Sequence, residues 1–326
     1  MESFLFSLNA VAPIIIMVAI GYLLKKLGII PQGLVKGLNK IVFKILLPAS
    51  LFLNIYKVED VAVMNPGFIL YAVVAILLLF ALALPLTHLF TKERARKGPL
   101  IQSVFRSNFA LIGIPLVESV CGSSGGAVAS LLSAVSIPVF NILAVLSLSV
   151  YSTEGERVSV KKTLFDIVTN PLIVGVALAL GCLGIRAGLT SADIAFRLSD
   201  IKPLYQTISY LASAATPLAL LALGAQLEFG VIRNMKHEII FGTVMKTVVT
   251  PLLALTASIL FFDFEVAHYA CFVALFTTPV AVSTVPMAQE AKADVDLAGQ
   301  LVIWSTIASA LSMFVAIYIL KIVAIF

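Results

Sequence analysis

An all-α membrane protein of ten transmembrane helices is predicted by three observations. Of the 326 residues 60% are hydrophobic, only 12% are charged, and the apolar residues gather into ten long runs. An ordinary soluble domain carries about 25% charged residues, and a water-soluble core does not absorb such an excess. A helix needs about 20 mainly apolar residues to cross the hydrocarbon layer, so ten crossings take up about 200 residues and leave short loops.

The runs cover residues 5–27, 38–56, 67–90, 99–120, 125–150, 164–184, 204–226, 239–262, 268–289 and 297–322. They are too long and too uniformly apolar for barrel strands, and backbone groups in lipid must be satisfied internally, so each is read as a helix. The first run follows Glu2 instead of basic residues and exceeds the core of a secretory signal, which predicts a retained span. Cys121, Cys182 and Cys271 match no metal spacing. The net charge of +5 does not point to nucleic acid, because the basic residues sit in short gaps between apolar runs.

Those gaps set the orientation. Lys25, Lys26, Lys36, Lys40, Lys92, Arg94, Arg96, Lys97, Arg157, Lys161, Lys162, Arg233, Lys236 and Lys292 share one side, and only Lys57, Arg186, Arg197, Lys202 and Lys321 lie opposite. The first side is expected to be cytoplasmic, with both termini outside a plasma membrane.

The two halves echo one another. Pro13 to Ala19 resembles Pro171 to Ala177, and Pro48 precedes Glu59 by the same eleven residues that separate Pro217 from Glu228. The fourth and ninth runs each hold a deep proline, Pro115 and Pro286, with Glu118 and Glu290 soon after. This predicts a first five-helix repeat over 1–150, a short cytoplasmic linker at 151–163, and a second repeat over 164–326. Five is odd, so the second repeat inserts upside down, an arrangement characteristic of secondary transporters.

Proline inside a helix removes a backbone bond, so Pro115 and Pro286 are either simple kinks or marks of two broken helices that frame a midplane site. A segment starting at such a break exposes N–H groups carrying roughly half a positive charge, a natural carboxylate site. Gly113 lies beside the first break. Asn108 and Asn170 are polar groups in apolar surroundings, and each either bonds a neighbouring helix or contacts a ligand. Arg106 and Lys246 lie about 12 Å inside the ends of their helices, where a charge must snorkel or face a water-filled cavity. Lys36, Lys40 and Lys44 form a ladder that reads as snorkelling. Acidic residues occur only near helix ends, and deep positive groups without deep negative ones favour an anionic solute. Gly122 to Gly126 formally matches a nucleophile elbow, but between two membrane helices it reads as a capping turn, and no enzyme is predicted.

Asn108 to Gly122, Asn170-Pro171, Leu223-Gly224, Met245 to Pro251 and Val285-Pro286 followed by Ala291-Lys292 resemble the auxin efflux carrier family, which includes plant PIN carriers and bacterial malate and malonate permeases. The resemblance implies two inverted five-helix repeats with broken, crossing helices 4 and 9. It also implies an elevator mechanism, with helices 1, 2, 6 and 7 as scaffold and helices 3 to 5 and 8 to 10 as the moving unit. Pro115 and Pro286 would mark the crossover, and Asn108 and Asn170 would line the substrate site. The short loop after Tyr151 and the Leu-Ile after Pro171 differ from the plant carriers and point to a small aliphatic carboxylate.

The full candidate set is Arg106, Asn108, Gly113, Pro115, Asn170, Ser283, Thr284 and Pro286. A sodium-coupled symporter of the bile-acid type is the alternative, in which Thr277 and Thr278 with Ser283 and Thr284 would contact the cation; a membrane receptor or channel is another. No cofactor and no metal site is expected, and a proton or sodium ion could couple transport. The expected partners are a small organic anion, the bilayer and a second copy of the chain.

Overall fold

The computed structural model describes residues 2–57, 65–151, 165, 168–192, 194–227 and 229–322. These are helical, with no strand among them. The expected linker lies outside the described residues apart from Tyr151, as do Glu59 and Glu228 of the internal echoes. Among the described residues eight helices are long and apolar enough to cross a membrane: α2 (Gly33–Tyr56), α3 (Pro66–Phe90), α4 (Arg94–Gly122), α5 (Ser124–Val150), α6 (Pro171–Ser191), α7 (Lys202–Gln226), α8 (Lys236–Phe261) and α10 (Val295–Ile322). Before them stands α1 (Glu2–Lys26), and between α8 and α10 lie two shorter pieces, α9a (Val266–Thr277) and α9b (Thr284–Glu290). The run at 268–289, expected from sequence as one span either kinked or broken near Pro286, is two helices.

Local chemistry explains the starts and widenings of these helices. Asn65 and Asn170 each precede a proline and cap the helix that follows. The Asn65 Oδ1 accepts from Gly67 N and Phe68 N at 3.0 and 3.2 Å, and the Asn170 Oδ1 accepts from Leu172 N at 3.0 Å. Wide π-turns interrupt α2, α4 and α8 at Val42–Leu46, Phe109–Gly113 and Met245–Val249, each two residues before Pro48, Pro115 and Pro251 respectively. A proline lacks the N–H and crowds the carbonyl four residues back, and a widened turn relieves both. In α8 that freed carbonyl is Thr247 O, and Ser312 Oγ of α10 donates to it at 2.6 Å.

Two helix pairs approach backbone to backbone. Gly21 of α1 and Gly224 of α7 let those helices meet so closely that a methyl group added at either would lie 2.2 Å from Leu221 O or 2.0 Å from Val18 O. Between α6 and α2, a methyl group on Gly175 would lie 2.8 Å from Pro48 O. Such small-residue contacts are how helices gain packing energy in lipid, where no hydrophobic drive joins them.

Two interruptions position the site. In α4 the regular helix ends at Phe105, Arg106 is extended, and the next turn starts after Asn108, whose side chain makes no bond to it. In α9 the helix ends at Thr277, Thr278 is extended, and helix resumes at Thr284. The two gaps are joined by main chain, Asn108 N donating to Pro279 O at 2.8 Å.

Candidate functional site

A cavity of about 700 Å³ opens beside the joined gaps. It is bounded by Arg106 to Leu111 of α4, Ala281 to Ser283 of α9, Asn141 and Phe140 of α5, and residues of α1, α2, α6 and α7. Its wall is mostly apolar, with polar groups concentrated at the gaps.

Arg106 is the dominant feature. It is 2% exposed, held by the helix end at Phe105, with its backbone N–H on Gln102 O. Its Nη1 donates to Gln102 Oε1 at 2.7 Å and contacts Met287 Sδ at 2.8 Å. Its Nη2 donates to Asn141 Oδ1 at 2.9 Å and to Ser283 Oγ at 2.7 Å. The guanidinium thus links α4, α5 and the start of α9b. All these acceptors are neutral, and none of the ion pairs among the described residues involves Arg106. Beside it the Asn108 Nδ2 is buried with no acceptor among the described residues. Two donor groups therefore stand at the wall without a negative partner.

The structure brings Arg106, Asn108 and Ser283 together at the cavity and leaves the other candidates off its wall. Gly113 is a packing glycine, where a Cβ would lie 2.4 Å from the Phe109 ring. Pro115 is exposed on the turn after the π-turn, and Pro286 and Thr284 are buried in α9b. The helix gaps precede the prolines, at Arg106 to Asn108 and Thr278 to Ser283, instead of coinciding with them. Proline suits the first turn of a helix, so it marks where helix restarts. Asn170 spends its side-chain oxygen on the α6 cap, and Leu172, two residues on, is the α6 residue that reaches the cavity. Thr277 and Thr278 donate to Val273 O and Ala274 O at 2.7 Å each, and Thr278 also pairs with Ser107. The missed residues include Asn141 and Asn54, each with the signal of Asn108, a lone amide in an apolar run.

Lys246 is fully buried in α8, and its Nζ has no partner among the described residues. It does not line the cavity. Ser124 of the formal nucleophile elbow donates to Cys121 O at 3.3 Å, in the turn where Gly122 takes φ +72°.

A family model described as membrane transport protein matches residues 6–317. The chain belongs to that family. It is the auxin efflux carrier-like family that the sequence resembles. An uncharacterized transporter of Methanothermobacter thermautotrophicus is 23% identical over 314 residues, 95% of this chain and 97% of that protein. An uncharacterized transporter of Methanocaldococcus jannaschii is 25% identical over 259 residues, 77% of this chain and 79% of that protein. Membership makes this chain a membrane transporter.

Proposed function

We propose that this transporter moves small organic anions across the cell membrane by alternating access, holding a carboxylate at the meeting of the α4 and α9 gaps. One observation carries the reading: Arg106 is a buried guanidinium at the cavity wall whose acceptors are all neutral. A buried charge is costly unless it is paired, and a carboxylate in the cavity supplies the missing charge together with fork-like hydrogen bonds. Asn108 Nδ2 offers a further donor, and the N-terminus of the turn Phe109–Gly113 adds its partial positive charge at the same wall.

The architecture proposed with it is ten crossings in two inverted repeats, with α4 and α9 as broken, crossing helices. Its support is pairwise: both helices are interrupted, and the close approach of α1 to α7 is matched by that of α2 to α6. On this reading α1, α2, α6 and α7 form a fixed scaffold, and α3 to α5 move with α8 to α10 as an elevator. The lysine-rich face is cytoplasmic and both termini are outside.

The test is a thermal-shift screen of the purified protein against small mono- and dicarboxylates, followed by uptake of the best ligand into proteoliposomes. A stabilising carboxylate that is also taken up is expected. Removing one member of a buried, hydrogen-bonded charge pair costs about 2–5 kcal/mol, so Arg106→Gln is expected to weaken binding from about 30-fold to several thousand-fold. Unchanged affinity in Arg106→Gln would sink the proposal.

A further inference from the structure

Away from the cavity, toward the lysine-rich face, two helices, α2 and α7, close on one residue of α9b. Gln289 Oε1 accepts from Asn39 Nδ2 of α2 at 2.8 Å and from Gln226 Nε2 of α7 at 3.2 Å. Gln289 Nε2 in turn donates to Lys36 O at 3.2 Å. The next residue, Glu290, pairs with Lys44 of α2 at 3.2 Å.

The cluster and the cavity are displaced in the same sense on every helix they share. On α2 the cluster uses Lys36 to Lys44 and the cavity begins at Leu47. On α7 the cavity ends at Leu220 and the cluster uses Gln226; on α9 the cavity ends at Ser283 and the cluster uses Gln289 and Glu290. The cluster therefore caps the cavity on one side.

Its bonds are also of a different kind from those behind it. The chain following α9b is tied to α4 and α8 through Arg96, which pairs with Asp294 at 3.1 Å and Glu238 at 3.0 Å, all three side chains mostly buried. Across the seam to α2 and α7 there are neutral amides and one ion pair whose side chains are 45% and 36% exposed. Neutral hydrogen bonds and screened ion pairs contribute little each and break readily. The closed seam also leaves Asn39 Oδ1 and Gln226 Oε1 buried without partners among the described residues, a cost that separation relieves.

We infer that Asn39, Gln226, Gln289 and the Lys44–Glu290 pair form a gate that seals the cavity from the lysine-rich face and parts in each transport cycle. The gate rests on membership in the transporter family and on these contacts, and does not depend on the substrate being an anion.

The test uses full-length protein in sealed proteoliposomes of known orientation, with Cys121, Cys182 and Cys271 replaced by serine. Thr216→Cys, in the cavity wall, reports access of a membrane-impermeant thiol reagent from either face. With the gate intact, labelling is expected from the face opposite Lys36. Gln289→Leu with Glu290→Gln is expected to raise labelling from the Lys36 face about tenfold, because weakening one state shifts the population toward the other. Asn39→Cys with Gln289→Cys, joined by a short bifunctional thiol reagent, is expected to block that labelling until the link is reduced. Labelling from the Lys36 face that does not rise in the double variant overturns the gate, even if the linked pair fails to fold. Failure of every carboxylate to bind, with the labelling pattern as expected, would remove the anion proposal and leave the gate standing.

Discussion

The contact between α1 and α7 gives a stability prediction that can be worked from distances. In Gly224→Ala the new methyl group would sit 2.0 Å from Val18 O and 2.9 Å from Tyr22 N. Both obstacles are main chain, so no rotamer change relieves them. An ordinary contact of such a methyl group begins at about 3.4 Å, so the helices must separate by roughly 1.4 Å, which loosens the packed core between them. Buried Ile14, Val18, Leu220 and Leu223 belong to that core. Overpacking of this kind costs about 1–3 kcal/mol, and at about 2–4 °C per kcal/mol the thermal midpoint falls by about 2–12 °C. Gly181→Ala on α6 is the control, since nothing lies within 4 Å of its added methyl group. Alanine there gains helix propensity and is expected to leave the midpoint level or slightly raised. Both variants would be melted in one detergent while Trp304 fluorescence is followed. A Gly224→Ala midpoint equal to that of Gly181→Ala would refute the reasoning.

Four further outcomes are expected. Asn141→Leu removes one acceptor of Arg106 and, beside an intact guanidinium, should weaken binding of the best carboxylate by about tenfold; equal affinity by calorimetry would show that the arginine needs no support from α5. Asn170→Ala should lower the thermal midpoint by the loss of a helix cap, about 1 kcal/mol, with ligand affinity intact; lost affinity at unchanged stability would return Asn170 to the binding site. Lys246→Met should match or exceed wild-type stability, because a buried ammonium without a partner is replaced by a side chain of similar length; a large drop in midpoint would reveal a partner that the ammonium depends on. Arg96→Lys should destabilise the protein measurably, since one ammonium does not reproduce the fork that reaches both Glu238 and Asp294.

Much of the fold is legible in hydropathy, because a membrane helix must be long, apolar and internally bonded. What hydropathy does not resolve is a gap inside an apolar run. Residues 278–283 continue the apolar and hydroxylated pattern of their neighbours, so hydropathy reads the run at 268–289 as continuous, although Pro279 within it disfavours helix where the gap opens. The prolines announce disturbed helices, but proline fits the restart of a helix better than its interruption, so Pro115 and Pro286 point a turn or two beyond the gaps. Arg106 and Asn108 were recognisable because polar groups deep in a span are expensive. Asn141 carries the same signal, yet only the packing of α5 against α4 shows that its amide faces the guanidinium. Asn170 misleads for the opposite reason: the same Asn-Pro pair at Asn65 serves as a cap, and sequence alone does not separate a capping amide from a ligand-binding one.

The bond between Asn108 N and Pro279 O is made entirely of main-chain atoms. A joint of that composition is blind to which side chains hang from it. Residues facing the cavity can therefore be exchanged while this bond between the two interrupted helices stays made. Frame and lock thus share a part: main chain fastens α4 to α9 here, and Arg106, the proposed anion ligand, fastens them a second time through Ser283 and Met287.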